Sequence, residues 1–353
     1  MRAMIVKEFR QLRRDRRTLA MMIVMPVLLL VILGYAASFD VTAVPTVVAG
    51  PGAAALSKAL PETFQLAATY QAGPQTPETW ARDQLRDGQA AVAIVTGTAP
   101  GLQVLIDGTQ LFDAQKTLQE LSALSGGKPV TTARVTGSAS VQILYNPELK
   151  TSYILIPGLA GVILVFVGTV ITSLGVVRER QAGTLEQLAV MPLRPTDVFL
   201  GKIIPYFVVA VVDLAIVLGV GVAIFGVPFA GSAAVFALGA LLFVFVTLGL
   251  GVLISSVSQT QGQAIQLAVM TLLPQVLLSG LIFPLTSIVA GVRWIAYLLP
   301  LTYFTEISRG VMLRAEPIGS LWPPFAYLAL LGAAVTGLAT WRFRAFLAPG
   351  TPG

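Results

Sequence analysis

Long apolar runs separated by short polar segments dominate the chain. A helix needs about 20 mostly apolar residues to cross the hydrocarbon core of a bilayer. Six segments approach or exceed that length, at residues 19–37, 153–177, 203–225, 233–256, 264–283 and 324–341. Pro26 lies inside the first, which neighbouring helices can accommodate. The pattern predicts an α-helical polytopic membrane protein with six transmembrane helices.

Residues 38–151 follow a different pattern and predict an α/β domain inserted between the first and second spans. Short apolar stretches at 44–49, 90–95 and 102–106 are typical of strands. Helical periodicity covers 79–87 and 113–124. We therefore expect four parts: an interfacial helix (1–18), a first transmembrane helix (19–37), the α/β domain (38–151), and a transmembrane domain holding spans two to six (152–353).

The basic residues predict the orientation in the membrane. Seven precede the first span, four lie in the loop at 178–202 after the second, and two follow the last. The positive-inside rule puts all three groups, and hence both termini, in the cytoplasm. Six crossings satisfy this and seven do not. We therefore expect the proline-broken segment at about 284–322 to form re-entrant helices on the outer side, and the α/β domain to be extracytoplasmic.

The N-terminal residues 4–17 alternate cations with apolar residues at helical spacing. This favours an interfacial helix whose cations face anionic lipid headgroups. The alternative is an orientation signal that happens to be helical. The charges adjoin a span, so nucleic-acid binding is a poor interpretation. The cations predicted at the membrane surface are Lys7, Arg10, Arg13, Arg14 and Arg17.

Composition excludes most chemistry in this chain. Hydrophobic residues make up 55%, charged residues 11%, and mean hydropathy is +0.80. This rules out an ordinary soluble enzyme. Cys and His are absent, which removes thiol nucleophiles, Cys/His metal sites and histidine catalysis. No G-x-x-x-x-G-K-[ST] phosphate loop is present. We expect no enzyme activity and no cofactor in the chain, so energy must come from a partner or an ion gradient.

Three charged residues in apolar surroundings need separate explanations. Asp213 lies well inside a predicted span, where a carboxylate is costly. A hydrogen-bonded packing or subunit-interface role is favoured over a proton relay. Glu306 and Arg309, in the outer re-entrant region, are three residues apart and could pair on one helix face.

The cytoplasmic loop at 178–202 predicts a short capped helix at about 183–192, because Thr184 and Gln187 form a capping box. The motifs in and around this loop resemble those of ABC-transporter permeases of the type-2 export class. They are Glu179-Arg180, Gly183-Thr184-Leu185-Glu186, Leu188 and Pro192-Leu193-Arg194. Matches elsewhere follow in family order: Lys7-Glu8-Phe9, Asp107-Gly108, Tyr145-Asn146-Pro147, Pro300-Leu301-Thr302-Tyr303 and Arg309-Gly310.

The resemblance implies a role for the loop and a set of partners. The helix at 183–192, here called the coupling helix, would sit in a groove of an ATP-binding subunit. The positions implied at that contact are Glu179, Gly183, Thr184, Leu185, Glu186 and Leu188. ATP and Mg would be bound by that partner. The resemblance also implies a second permease half, identical or a sister chain, in a bacterial inner membrane, with a periplasmic adaptor as a further candidate partner.

Export of an amphiphilic drug or lipid-like molecule, driven by separate ATPase subunits, is the function that this resemblance implies. Two alternatives from other classes stay open. One is a proton-coupled secondary transporter using Asp213. That would predict a second buried acidic group and repeated halves, and neither is clear in the sequence. The other is a membrane scaffold whose external domain binds a partner.

Overall fold

The computed structural model describes residues 43–98, 101–124, 139–181 and 195–347. These ranges hold a sheet domain and a set of helices that continues directly from it. The predicted interfacial helix and its cations, the first predicted span and the coupling helix from Gly183 onward lie outside them.

The sheet domain has five strands: β1 Val44–Ala49, β2 Phe64–Tyr70, β3 Val92–Thr98, β4 Gly101–Asp107 and β5 Ala139–Leu144. Their order is β2-β1-β3-β4-β5. β1 runs parallel to β2 and β3, β4 runs antiparallel to β3, and β5 runs parallel to β4. The domain helices are α1 Ala53–Lys58, α2 Pro77–Arg86 and α3 Leu111–Leu124.

The three domain helices lie on both faces of the sheet, and successive side chains of the central strands pack against helices on opposite faces. Val92 and Ile94 of β3 are buried with residues of α1 and α3. The intervening Ala93 and Val95 are buried with residues of α2. Successive strand side chains point to opposite faces, so the domain has three layers, with the sheet between helices. The predicted strands at 44–49, 90–95 and 102–106 and the two predicted helices are confirmed within a few residues.

The helical part begins directly after β5. Its elements are α4 Thr151–Phe166, a π-helical turn Val167–Ile171, α5 Thr172–Gln181, α6 Pro195–Phe225, α7 Ala233–Val257, α8 Gln261–Leu278, a 3₁₀ turn Leu285–Ser287, α9 Ala290–Ala296, α10 Pro300–Arg314 and α11 Ile318–Leu347. Four helices in the described ranges are long and apolar enough to cross a membrane: Thr151–Arg178, Tyr206–Phe225, Ala233–Val257 and Ile318–Arg342.

The span predicted at 264–283 differs most from the structure. Its helix, α8, has 18 residues and is not among the four described candidates. Four glutamines lower its hydropathy. The helix ends at Leu278 because Gly280 adopts a left-handed backbone, with φ +79°. The six-span arrangement therefore stays a prediction.

The proline-broken segment forms short helices, as its sequence predicts. Their re-entrant placement on the outer side stays a prediction. Residues 297–299 separate α9 from α10, and Pro300 occupies the first turn of α10. Trp294 and Trp322 are largely exposed, whereas Tyr303 is buried. Its hydroxyl donates to the Tyr297 carbonyl at 2.6 Å. Tyr303 therefore serves the packing of α10 in this chain.

Two contacts illustrate how the helices pack: a buried pair of aromatic rings, and a point where two helix backbones approach closely. Phe304 of α10 is fully buried and stacks on Phe243 of α7, with ring centroids 4.4 Å apart. Where the π-helical turn crosses α7, Gly251 lies against the Gly168 carbonyl. A side chain at Gly251 would overlap that carbonyl, so the absence of a Cβ permits the crossing.

Candidate functional site

The clearest concentration of charge and unpartnered polar groups lies where the sheet domain meets the helices. Three segments converge there: the end of β4 with the loop into α3, the start of α4, and the C-terminal half of α10. The family-like motifs Asp107-Gly108, Tyr145-Asn146-Pro147 and Arg309-Gly310 all fall on or next to these segments. The fold thus brings together motifs that are about 200 residues apart in sequence.

Asn146 fixes the passage from the sheet to α4. Its Oδ1 accepts from the Lys150 backbone N–H at 2.9 Å, just before the helix begins. Its Nδ2 donates to the carbonyls of Lys150 at 3.1 Å and Gly108 at 3.3 Å. Asn146 is fully buried, and one amide side chain therefore ties the end of β4, the end of β5 and the start of α4 to each other.

Arg314 forms the ionic contact between the two parts of the molecule. Its Nη2 lies 2.9 Å from Oε2 of Glu316, and its Nη1 lies 3.4 Å from Oδ2 of Asp107 in the sheet domain. All three side chains are buried. Asp107 Oδ1 also accepts from the Thr109 N–H at 2.8 Å. One guanidinium thus faces two carboxylates, and this buried trio carries one surplus negative charge.

Glycine allows the sheet domain to approach this guanidinium closely. Gly88, in the loop after α2, has φ +67° and packs over Arg314. A Cβ there would lie 3.0 Å from Arg314 Nη2. Burial raises the pKa of Glu316, and the neighbouring Arg314 only partly opposes this. The trio is therefore shielded from solvent on the sheet-domain side.

A cavity of about 650 Å³ adjoins the trio. The charged residues that line it are Arg309, Arg314, Glu306 and Asp113, and α4 contributes apolar residues that include Leu155 and Leu159. Volumes of about 300–1,000 Å³ are typical of sites for small molecules. The cavity has the size and the mixed lining of a binding site for an amphiphile.

Arg309 and Glu306 do not form the pair that their spacing suggests. Arg309 Nη1 donates to the Gly280 carbonyl at 3.1 Å and Nη2 to the Leu281 carbonyl at 3.2 Å. These carbonyls belong to the turn that ends α8, and a cation there is favourable. No ion pair joins the two residues in the part of the chain described. Glu306 is an exposed residue of α10 that lines the cavity.

Asp113 is the most perturbed acid of the sheet domain. It is 2% exposed, and its Oδ1 is buried with no hydrogen-bond partner among the described residues. Burial, reinforced by the negative charge of Asp107, raises the pKa of Asp113 to about 7. The sequence alone did not mark Asp113, Asp107 or Arg314 as site residues. Asp113 occupies an ordinary acidic position in the first turn of a helix, and only the fold shows that it is buried.

The other predicted site residues are spread along the chain. Asp213 lies half-buried in α6, within the candidate span Tyr206–Phe225, and its role stays a prediction. Glu179 falls in α5. Gly183, Thr184, Leu185, Glu186 and Leu188 lie outside the described residues, as do Lys7, Arg10, Arg13, Arg14 and Arg17. In the ranges that the structure covers, no group of three or more acidic residues could hold a metal ion.

The apolar helices define a polytopic membrane protein, and comparison with known proteins gives its family. The model of the ABC-2 family transporter proteins matches residues 16–341. The chain belongs to this family of transporter permeases.

Individual relatives are similar over most of the chain. The probable multidrug ABC transporter permease YbhR of Escherichia coli is 31% identical, over 94% of this chain and 95% of its own length. The probable multidrug ABC transporter permease YbhS of the same organism is 30% identical, over 89% of each. The inner membrane transport permease YhhJ, also from E. coli, is 29% identical over 71% of this chain and 69% of its own length.

Proposed function

We propose that this chain is the membrane-spanning permease subunit of an ATP-driven exporter, and that it moves an amphiphilic drug or lipid-like molecule outward. The observation that carries the proposal is the family match over residues 16–341, together with relatives whose names describe multidrug permeases. The missing phosphate loop supports ATP hydrolysis in a separate subunit.

In this proposal the coupling helix at 183–192 receives the motion of the ATP-binding subunit. Glu179, Gly183, Thr184, Leu185, Glu186 and Leu188 form the contact. Two permease halves assemble in the bacterial inner membrane, each with six spans, both termini in the cytoplasm and the sheet domain outside. The helices within 284–322 lie at the outer face. The basic residues of the three cytoplasmic segments support this orientation.

Association and transport test the proposal together. The chain is co-expressed with its ATP-binding subunit, and the double variant Gly183→Pro/Glu186→Ala is compared with the parent. We expect the variant to lose co-purification and export, because proline breaks the helix and Ala removes a contact carboxylate. Glu62→Ala, an exposed acid of the sheet domain, is the matched control and should retain both.

Two results would count against this function. Unchanged association and unchanged export in the double variant would exclude the coupling helix as the point of energy input. Export that continues when ATP is depleted but the proton gradient is kept would favour the proton-coupled alternative through Asp213.

A further inference from the structure

Helix α6 leaves more of its apolar surface uncovered than the other three candidate spans do. Only 17% of its most apolar stretch, within Tyr206–Phe225, is buried, against 28% in α11 and 61% in the spans that begin with α4 and α7. Its exposed apolar residues extend over the whole stretch, from Val208 to Phe225. The described residues therefore leave a long face of α6 without a neighbour.

Part of this face borders a groove between α6 and α4. The two helices pack antiparallel, since Gly221 of α6 lies against Ile156 near the start of α4, and Tyr206 lies against Gly175 of α5. With about 3.6 residues per turn, exposed residues of both helices fall on the same side of this contact. They are Leu159, Ile163 and Phe166 of α4 and Val209, Ile216 and Val220 of α6, each 39–57% exposed. These six residues define the α4–α6 groove.

The position of Asp213 indicates that protein, and not lipid, covers this groove. Asp213 is half-buried and lies about one turn from both Val209 and Ile216, on the groove side of α6. Ionisable residues within spans almost always face the interior of the helix bundle or a water-filled cavity. The side of α6 that carries Asp213 is therefore expected to face another helix.

The start of β1 lies at the edge of the sheet that faces the helices. The Ala91 N–H donates to the Pro45 carbonyl and the Asp107 N–H donates to the Ala91 carbonyl, each at 2.8 Å, and Asp107 contacts Arg314 of α10. β5, which leads into α4, ends beside Asp107 at the same edge. Two strands separate β1 from β5, so their ends at this edge are about 14 Å apart.

The first predicted span has the length and the connection to fill the groove. Residues 19–37 are mostly apolar and as a helix would be about 28 Å long. The exposed face of α6, from Val208 to Phe225, is about 26 Å long. Residues 38–43 connect the span to β1 and reach about 20 Å when extended. This tether keeps the outer end of the span near the outer ends of α4 and α6, and a second copy of the chain has no such tether.

We propose that residues 19–37 dock lengthwise in the α4–α6 groove, parallel to α6, with their apolar side chains against Ile163, Ile216 and Val220. The docked helix gives α6 its missing neighbour and separates Asp213 from lipid. The docking rests on the part of the proposed function that makes residues 19–37 a span and puts the sheet domain outside. It rests on neither export nor ATP.

Disulfide cross-linking tests this docking in a chain that has no native cysteine. Ile216→Cys is combined, in separate variants, with a cysteine at each of residues 27–33, which cover about two helical turns. A protease site is inserted in the exposed loop at 71–75, between the two cysteines in sequence. Full-length protein in nanodiscs is oxidised, and cleaved and uncleaved samples are compared on a non-reducing denaturing gel.

A link within one chain has a defined signature in this assay. The two fragments should stay joined after cleavage for about one or two positions per helical turn of residues 27–33, and should separate on reduction. The uncleaved sample should stay at the mass of one chain. Val220→Cys gives a second measurement: because the helices are proposed to run parallel, its linking positions should lie about four residues further along the chain.

The matched control is Leu330→Cys, at an apolar residue of α11 that is 66% exposed. Combined with the same cysteines at residues 27–33, it should leave the two fragments separate. All three partner positions are exposed, so a cysteine at each removes little buried contact, and the yield of folded protein should be similar.

Three results would overturn the proposal. Equal linking to Leu330→Cys would show random collision and not docking. A band of two chains in the uncleaved sample of the single variant Ile216→Cys would put a second copy in the groove. Absence of a link to both α6 positions would leave the groove to lipid. The assay contains no ATP and no ATP-binding subunit, so the docking can fail while export is retained, and export can fail while the link forms.

Discussion

Removing the guanidinium of Arg314 should loosen the attachment of the sheet domain to the helices. Arg314→Met keeps much of the apolar volume but leaves Asp107 and Glu316 buried and without their cation. Breaking a buried ion pair by removing one partner costs about 3–5 kcal/mol, because the remaining charge stays in a poorly solvating environment. The loss at Arg314 should lie in that range, since the side chain is only 7% exposed.

The control is an ion pair of similar geometry at the surface. Arg82 lies 2.9 Å from Glu78, but both side chains are about 40% exposed, and such pairs contribute about 0–1 kcal/mol. Arg82→Met should therefore cost far less than Arg314→Met. Thermal unfolding of the purified protein, followed by fluorescence, should show a difference in Tm on the order of 10 °C. Hydrogen exchange of the β4 amides should accelerate only in the Arg314 variant.

A compensated variant tests the cause. Asp107→Asn/Arg314→Met/Glu316→Gln removes all three charges and should recover most of the lost stability, because neutral groups have a smaller desolvation cost. If the triple variant is no more stable than Arg314→Met, lost packing and not uncompensated charge explains the effect. If Arg314→Met costs no more than Arg82→Met, the trio does not hold the domain in place.

Three further predictions concern single positions. Asp113→Asn should raise Tm clearly at pH 8 and only slightly at pH 4. The native state keeps a proton on Asp113 up to a pKa of about 7, while the unfolded chain releases it near 3.8, so the carboxyl destabilises the fold increasingly over that interval, by up to about 4 kcal/mol. Equal shifts in Tm at both pH values would contradict this. Gly251→Ala should destabilise the protein by about 1–3 kcal/mol, because the new Cβ would overlap the adjoining helix. Gly219→Ala has no atom within 4 Å of its Cβ position and should stabilise the protein by up to about 1 kcal/mol. If thermal unfolding in nanodiscs shows a change in stability of the same sign for both variants, the close-approach argument is refuted. Phe304→Ala should lower the free energy of unfolding by about 3–5 kcal/mol. Phe229 is 37% exposed, so Phe229→Ala should lower it much less in the same unfolding assay. Similar losses for the two variants would show that Phe304 and Phe243 do not form a packing core.

The sequence predicts elements well where the local signal is strong. The strands at 44–49 and 102–106 are short, mostly apolar runs. The helix predicted at 79–87 follows a Thr-Pro start in which Thr76 accepts from the Thr79 N–H at 3.2 Å. The strands Phe64–Tyr70 and Ala139–Leu144 are not predicted. Each occupies an edge of the sheet and is less apolar than the central strands, so its sequence resembles that of a loop.

The candidate site could be predicted only in part, because its charged residues are far apart in sequence and come together only in the folded chain. Spacing along one helix suggests an ion pair between Glu306 and Arg309. Arg309 instead binds carbonyls 28 and 29 residues away in sequence, which no local pattern indicates. Arg314 and Asp107 are 207 residues apart. Their contact requires the sheet domain to dock on α10, and docking depends on packing that sequence periodicity does not encode.

The short passage from β5 to α4 has a mechanical consequence. Only residues 145–150 separate the two elements, and Asn146 bonds across this passage while the Arg314 trio holds a second point of the domain. There is no slack in which a tilt of α4 could be absorbed. A tilting helix would therefore turn the sheet domain with it as a lever arm, and since α4 also forms one wall of the cavity, the same movement would widen or narrow that space. The volume of the cavity and the orientation of the sheet domain would therefore change together.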